Sequence, residues 1–225
     1  MANSQISEKA AARNENIQQT VSKTDQFFKE NKKTIWGVTI AVVVVALAVL
    51  AYGKFIYQPK CAEAMAAAFP AEQAFIQGNY EIALDGDGNV PGFAQVISDY
   101  GSKAGEAVYF YAAVCELKAG NYESALSYLK KYNGKDTILA ARALACKGDC
   151  QVGLEDYEAA VKSFAAAAAK GDNVFAATYL LKEGVTLEKL GRSADALECY
   201  KTIKDKYPQT IEAYDIDKYI TRVSE

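Results

Sequence analysis

Two kinds of hydrophobic pattern divide the chain. The first is a block without charge, TIWGVTIAVVVVALAVLAYG, twenty residues at 34–53 between Lys33 and Lys54. As a helix rising about 1.5 Å per residue it reaches roughly 30 Å, the thickness of a bilayer's hydrocarbon core. It predicts a single transmembrane helix over 34–53, with Trp36, Tyr52 and Tyr57 near the ends, where amphipathic rings favour the interface. A long polar stretch precedes it and no small-x-small cleavage site follows, so it does not read as a signal peptide. The tail, 1–33, mostly lacks apolar periodicity and is expected to be mobile, with Phe27 and Phe28 placed to continue the helix on that side.

The second pattern follows a linker at 54–61 and repeats. GNYEIAL at 78–84 returns as GNYESAL at 120–126, then as LEDYEAAV at 154–161 and more loosely as LGRSADAL at 190–197. The shared alanines are Ala83, Ala125, Ala160 and Ala196, spaced 42, 35 and 36 residues apart. Twelve residues before each stands another small residue: Ala71, Ala113, Gly148 and Gly184. Four residues after the later three stand Leu129, Phe164 and Tyr200, expected to fill the space between neighbouring hairpins. Gly78 and Gly120 suit a left-handed turn that ends one helix before the next begins. In the first copy DGDGNVPGF follows Leu84, breaks the second helix and accounts for the longer spacing.

This frame, above all YLLKEGVTLEKLGRSADALECYKTIKDKYP with Gly184, Leu190, Gly191, Ala196, Tyr200 and Pro208, resembles the tetratricopeptide repeat over about residues 62 to 208. The resemblance implies an all-α fold: an N-terminal transmembrane helix, then a helix–turn–helix solenoid of about four hairpins over 62–225, ending in a capping helix within Gln209–Val223. It also implies that the first helices line a concave groove that receives a peptide or partner helix. Carried over position by position, the groove residues are Phe75, Phe110, Val114, Leu117, Arg142, Asp149, Val152, Leu181 and Val185. Several of these are also placed to pack against neighbouring turns or the cap.

Composition narrows the chemistry. There is no histidine, which removes the commonest general base, the usual catalytic triads and mixed His/Cys zinc sites. The net charge of −3 comes with no basic stripe interleaved with aromatics, so no nucleic-acid partner is expected. Nor are an enzymatic activity, a small-molecule substrate or a cofactor. Asp85, Asp87 and Asn89 fall at calcium-loop spacing, but Val90 and Val96 stand where that loop needs Gly and Glu, so a plain Asp/Gly/Asn turn is expected there and no metal. The five cysteines, Cys61, Cys115, Cys146, Cys150 and Cys199, are odd in number and lack C-x-x-C spacing, which fits small buried apolar residues.

Charge also orients the chain. Residues 1–33 carry six Lys/Arg against four Asp/Glu, and residues 54–225 carry 19 against 24. By the positive-inside rule the tail is cytoplasmic and the repeats lie outside. A short tail, one span and an outer repeat domain resemble the YfgM-like ancillary subunits of the bacterial Sec translocon. The run from FFKENKKTIW through YQPK to AFPAEQAF also resembles tetratricopeptide membrane proteins of the Bacteroidota. These resemblances imply an inner-membrane, periplasm-facing adaptor for translocon subunits, chaperones or exported chains. An envelope scaffold of a division or Tol–Pal type machinery, or an organellar import receptor with cytosolic repeats, are the alternatives.

Overall fold

Residues 31–171 and 173–224 are described in a computed structural model; Phe27, Phe28 and most of the tail lie outside them. The chain forms two units, residues 1–58 and 59–225. In the first, α1 (Lys32–Tyr52) is a helix of 21 residues followed by a π-helical turn, Gly53–Tyr57. No residue of α1 is buried, although Val, Ile, Leu and Ala dominate it. A core helix of a soluble protein would bury that surface, and α1 is a helix long and apolar enough to cross a membrane. Thr39, its one hydroxyl between Ile35 and Leu50, donates to the Ile35 carbonyl at 2.8 Å, which satisfies it within the helix.

The second unit is a series of helical hairpins. α2 (Gln58–Ile76) pairs with a split second helix, α3 (Tyr80–Asp85) and α4 (Phe93–Tyr100). After a 3-10 turn come α5 (Glu106–Ala119) and α6 (Tyr122–Lys131), α7 (Thr137–Gly153) and α8 (Tyr157–Ala169), then α9 (Phe175–Lys189) and α10 (Ser193–Lys206). Two short helices close the chain, α11 (Ile211–Tyr214) and α12 (Ile216–Ser224), where one capping helix was expected. Among the described residues there is no strand, only an isolated bridge between Gly86 and Pro91.

One turn is built four times. In every hairpin the amide after the turn apex donates to a carbonyl five residues back, and the apex amide to one three residues back, as in Asn121 to Glu116 at 2.9 Å and Gly120 to Leu117 at 3.2 Å. This pair of bonds satisfies carbonyls that a helix end leaves open and requires a left-handed apex. Gly78, Gly120 and Gly191 provide it with φ of 81°, 79° and 71°, while the third hairpin uses Glu155 at φ 60°.

The four frame alanines are all fully buried. The small residues twelve positions earlier do more than bring helices together. A Cβ on Gly148 would lie 2.5 Å from the Phe164 ring, and one on Gly184 would collide with the Tyr200 ring. Phe164 and Tyr200, expected between neighbouring hairpins, thus lie first over a glycine of their own hairpin. Where the second-helix residue is the narrower Leu129, the partner is Ala113, and both join one core.

Each apolar cluster spans adjacent hairpins: Phe110 and Ala113 of α5 meet Leu129 of α6 and Cys150 of α7, and Phe164 of α8 meets Tyr179 of α9. Stacking therefore buries faces that no single hairpin can cover. The inserted loop in the first hairpin returns the chain to the same core. The Asp87 carboxylate accepts from the Asn89 and Val90 amides at 2.9 and 3.0 Å, closing a tight Asx turn, and Phe93 and Val96 of α4 are fully buried. Those two amides hold the Asp87 carboxyl below its ordinary value.

Candidate protein-binding face

The first helices α2, α5, α7 and α9 carry the residues expected to face a partner, and their surroundings sort them into three groups. Phe110 is 3% exposed and packs its ring 5.9 Å from both Tyr111 and Tyr132, so it belongs to the core and offers a partner no surface. This corrects the expected stripe of Phe110, Val114 and Leu117: the aromatic end is turned inward by Tyr132, which the repeat frame does not mark.

A second group is half-buried. Phe75 stands in a ring cluster with Tyr80, Phe93 and Tyr111 at centroid distances of 5.5, 6.2 and 4.9 Å. Val114 and Leu117 rest on the Phe110–Leu129 core, Val152 on the Phe164 core and Leu181 on the Tyr200 core. These side chains each keep part of their surface open.

The third group is open or polar. Arg142 is exposed, and Val185 is 37% exposed. Asp149 binds Lys182 through both carboxylate oxygens at 2.7 Å, which ties α7 to α9, and the Lys182 ammonium also lies 5.8 Å from the centre of the Phe164 ring. Sequence reasoning missed Lys182. The available signal was a pair of opposite charges 33 residues apart, close to one repeat, on consecutive first helices.

Thiol and carboxyl chemistry along this face is quiet. All five cysteines are free. Burial, with nearby acids, pushes the Cys146 thiol up to about 11 and those of Cys115, Cys150 and Cys199 up to about 12, so all four stay protonated near neutrality. Burial likewise pushes Glu183 up, against the Cys199 thiol that hydrogen-bonds to it and the charge of Arg192. Among the described residues no three metal-binding side chains gather.

Family models described as tetratricopeptide repeat match residues 107–135 and 147–210. The matched stretches are similar to tetratricopeptide repeats. The second, third and fourth hairpins fall within or overlap the matched stretches, while the first, with its insertion, lies outside them. Among solved structures, one described as "Crystal structure of MamA" superposes with a TM-score of 0.53 at 18% identity, covering 68% of this chain and 92% of that one. Another, "Crystal structure of MamA protein", gives 0.53 at 17%, covering 73% and 86%. At that identity the likeness establishes the repeat fold alone. Among curated proteins, none matches the chain. Repeats of this kind imply protein–protein interaction.

Proposed function

We propose that the chain is a single-pass inner-membrane protein, with a cytoplasmic tail at 1–33, a span at 34–53 and a linker at 54–61, holding its repeat domain in the bacterial periplasm. There the face formed by α5, α7 and α9 binds segments of other proteins as an adaptor, serving exported chains, periplasmic chaperones or subunits of the Sec translocon. The observation that carries this is the pairing of an uncovered apolar helix with a repeat solenoid in one chain. Membrane attachment fixes the adaptor where its clients pass. Val114, Leu117, Val152, Leu181 and Val185 supply apolar contact, and Arg142 with the Asp149–Lys182 pair supplies orientation.

Photo-crosslinkers in place of Val114, Arg142 and Val185 in intact cells test the reading. They are expected to capture translocon subunits, chaperones or exported chains, while crosslinkers at Lys162 and Lys201 on the second helices stay silent. Capture only at the second helices would place the client site elsewhere. A periplasm-dependent reporter fused after Glu225 is expected to be active. A reporter active only in the cytoplasm would sink the orientation and favour the import-receptor reading instead.

A further inference from the structure

α6 is shorter than its counterparts. It has 10 residues, against 13 in α8 and 14 in α10, and gives way to the irregular segment 132–136. A missing helical turn leaves the side of α7 that it would cover open. There the chain forms a recess of ≈ 620 Å³ floored by Leu126, Leu129, Ala143 and Leu144. Its volume lies in the range of sites that hold a peptide side chain or small ligand.

Among the described residues the rim is of one charge. Lys130 comes from α6, Lys147 from the middle of α7 and Lys170 from just past the end of α8, and no described Asp or Glu lines the recess. All three lysines are exposed, and none makes an ion pair among the described residues. Tyr132 also lines the recess, and its hydroxyl is sealed from solvent without a hydrogen-bond partner, the one such side-chain atom among the described residues. A buried hydroxyl without a partner is costly, and native structures rarely leave one. Burial, with Asp136 and Glu106 nearby, pushes this phenol up, so it stays a protonated donor.

The recess is separate from the face described above. On α7, Leu144 and Lys147 sit two residues from Arg142 and Asp149 respectively, and two residues turn a helix through about 200°. The two rows therefore lie on opposite sides of the helix.

We propose that this recess is a second protein-binding site that takes an acidic peptide segment carrying a large apolar side chain. The apolar side chain enters over Leu126, Leu129 and Leu144, and carboxylates on either side meet the ammonium groups. A peptide fits better than a fatty acid because the three ammonium groups come from three separate helices. A single carboxylate can meet only part of such a rim, whereas a chain with several acids spans it.

The test is fluorescence anisotropy on the full chain in phosphatidylcholine nanodiscs, with a labelled peptide that has a Leu-Phe centre between paired aspartates. Saturable binding is expected, lost when lysines replace the aspartates and weakened about tenfold or more when the centre becomes Ala-Ala. Reversing the rim with Lys130→Glu, Lys147→Glu and Lys170→Glu together is expected to weaken it by about tenfold or more, while Lys201→Glu leaves it unchanged. These lysines are exposed, so the fold is retained. An unchanged affinity after rim reversal overturns the proposal. So does displacement of the peptide by equimolar dodecanoate, which would assign the recess to a lipid-like anion. Neither result bears on the crosslinks from α5, α7 and α9.

Discussion

The first and last hairpins follow one repeat frame and end the solenoid in opposite ways. At the last, the chain covers its own end. Ile216 is buried, Tyr219 lies 5.3 Å from Tyr200, and Arg222 forks onto both oxygens of Glu188 at 2.7 and 2.8 Å, where the Tyr200 hydroxyl also donates. At the first, α2 buries only Ala64, Ala68 and Ala71 and leaves Met65, Phe69 and Ile76 at 68, 58 and 75% exposure. A solenoid's terminal unit presents the face that a further repeat would have covered. The comparison teaches that the frame sets the interior, whereas each end is settled by residues outside the frame: a polar clamp at one, an inserted loop and aromatic cluster at the other.

The largest effect is expected from removing the residue that the insertion delivers. Phe93 is fully buried and packs against Phe75 of the first hairpin and Tyr111 of the second. Phe93→Ala should lower the unfolding free energy of the full chain by about 3–5 kcal/mol, read by denaturant titration in detergent. A loss under 1 kcal/mol would show that the insertion is a peripheral ornament.

At the last hairpin, Gly184→Ala is expected to cost about 1–3 kcal/mol by forcing the Tyr200 ring aside, even though alanine is the better helix former by about 1 kcal/mol. The matching change in the second hairpin, Ala113→Gly, runs the other way in volume and should cost about 1–2 kcal/mol through helix propensity and the lost methyl of a buried residue. If Gly184→Ala stabilises the chain, the ring does not need the space.

Much of this was legible in the letters. The charge-free block, the turn strings, the frame alanines and the left-handed Gly78 and Gly120 follow from local chemistry that acts within a few residues. The glycine under each ring was half-legible: Gly148 and Gly184 were marked as small, but their partners Phe164 and Tyr200 lie sixteen residues on and were assigned to the gap between hairpins. The inward turn of Phe110 was not legible, because Tyr132 sits in an irregular segment that no period predicts. Neither was the Asp149–Lys182 pair, since the repeat frame marks packing positions and charges stand outside it. The shortness of α6 was hidden as well, because a spacing of 35 residues from Ala125 to Ala160 does not say how many of them are helical.

A smaller effect tests the clamp. Burial acts to raise the Glu188 carboxyl, but the hydrogen bonds from Arg222 and Tyr200 outweigh it and hold the group below its ordinary value. A carboxyl whose pKa is lower folded than unfolded adds stability above its unfolded pKa, and that increment is lost as the pH falls through the folded value. Arg222 is half exposed, so screening limits Arg222→Ala to about 0.5–1 kcal/mol near neutrality. The variant and parent should converge in acid, where Glu188 is protonated in both. A difference that persists undiminished in acid would mean that Arg222 acts through its packing on Tyr219 instead of through Glu188.

The smallest effect separates turns that otherwise share one set of hydrogen bonds. Three of them place glycine at the left-handed apex, and the third hairpin places Glu155 there at φ 60°. For a residue with a Cβ this conformation costs about 1–2 kcal/mol, and glycine removes that cost but loses roughly 0.5–1 kcal/mol of backbone entropy on folding. The next residue offsets part of the strain, since Asp156 caps α8 by accepting from the Ala159 amide at 3.2 Å, whereas Asn79, Asn121 and Arg192 make no such side-chain cap. Glu155→Gly is therefore expected to stabilise the chain by about 0.5–1 kcal/mol, and Gly120→Glu to destabilise it by a similar or larger amount. Asp156→Ala should cost about 1 kcal/mol in the parent. Measured together in one denaturant series, the three changes say whether the turn depends on its apex or its cap. If Glu155→Gly is neutral while Asp156→Ala is costly, the cap holds the third turn and its apex carries no strain to relieve.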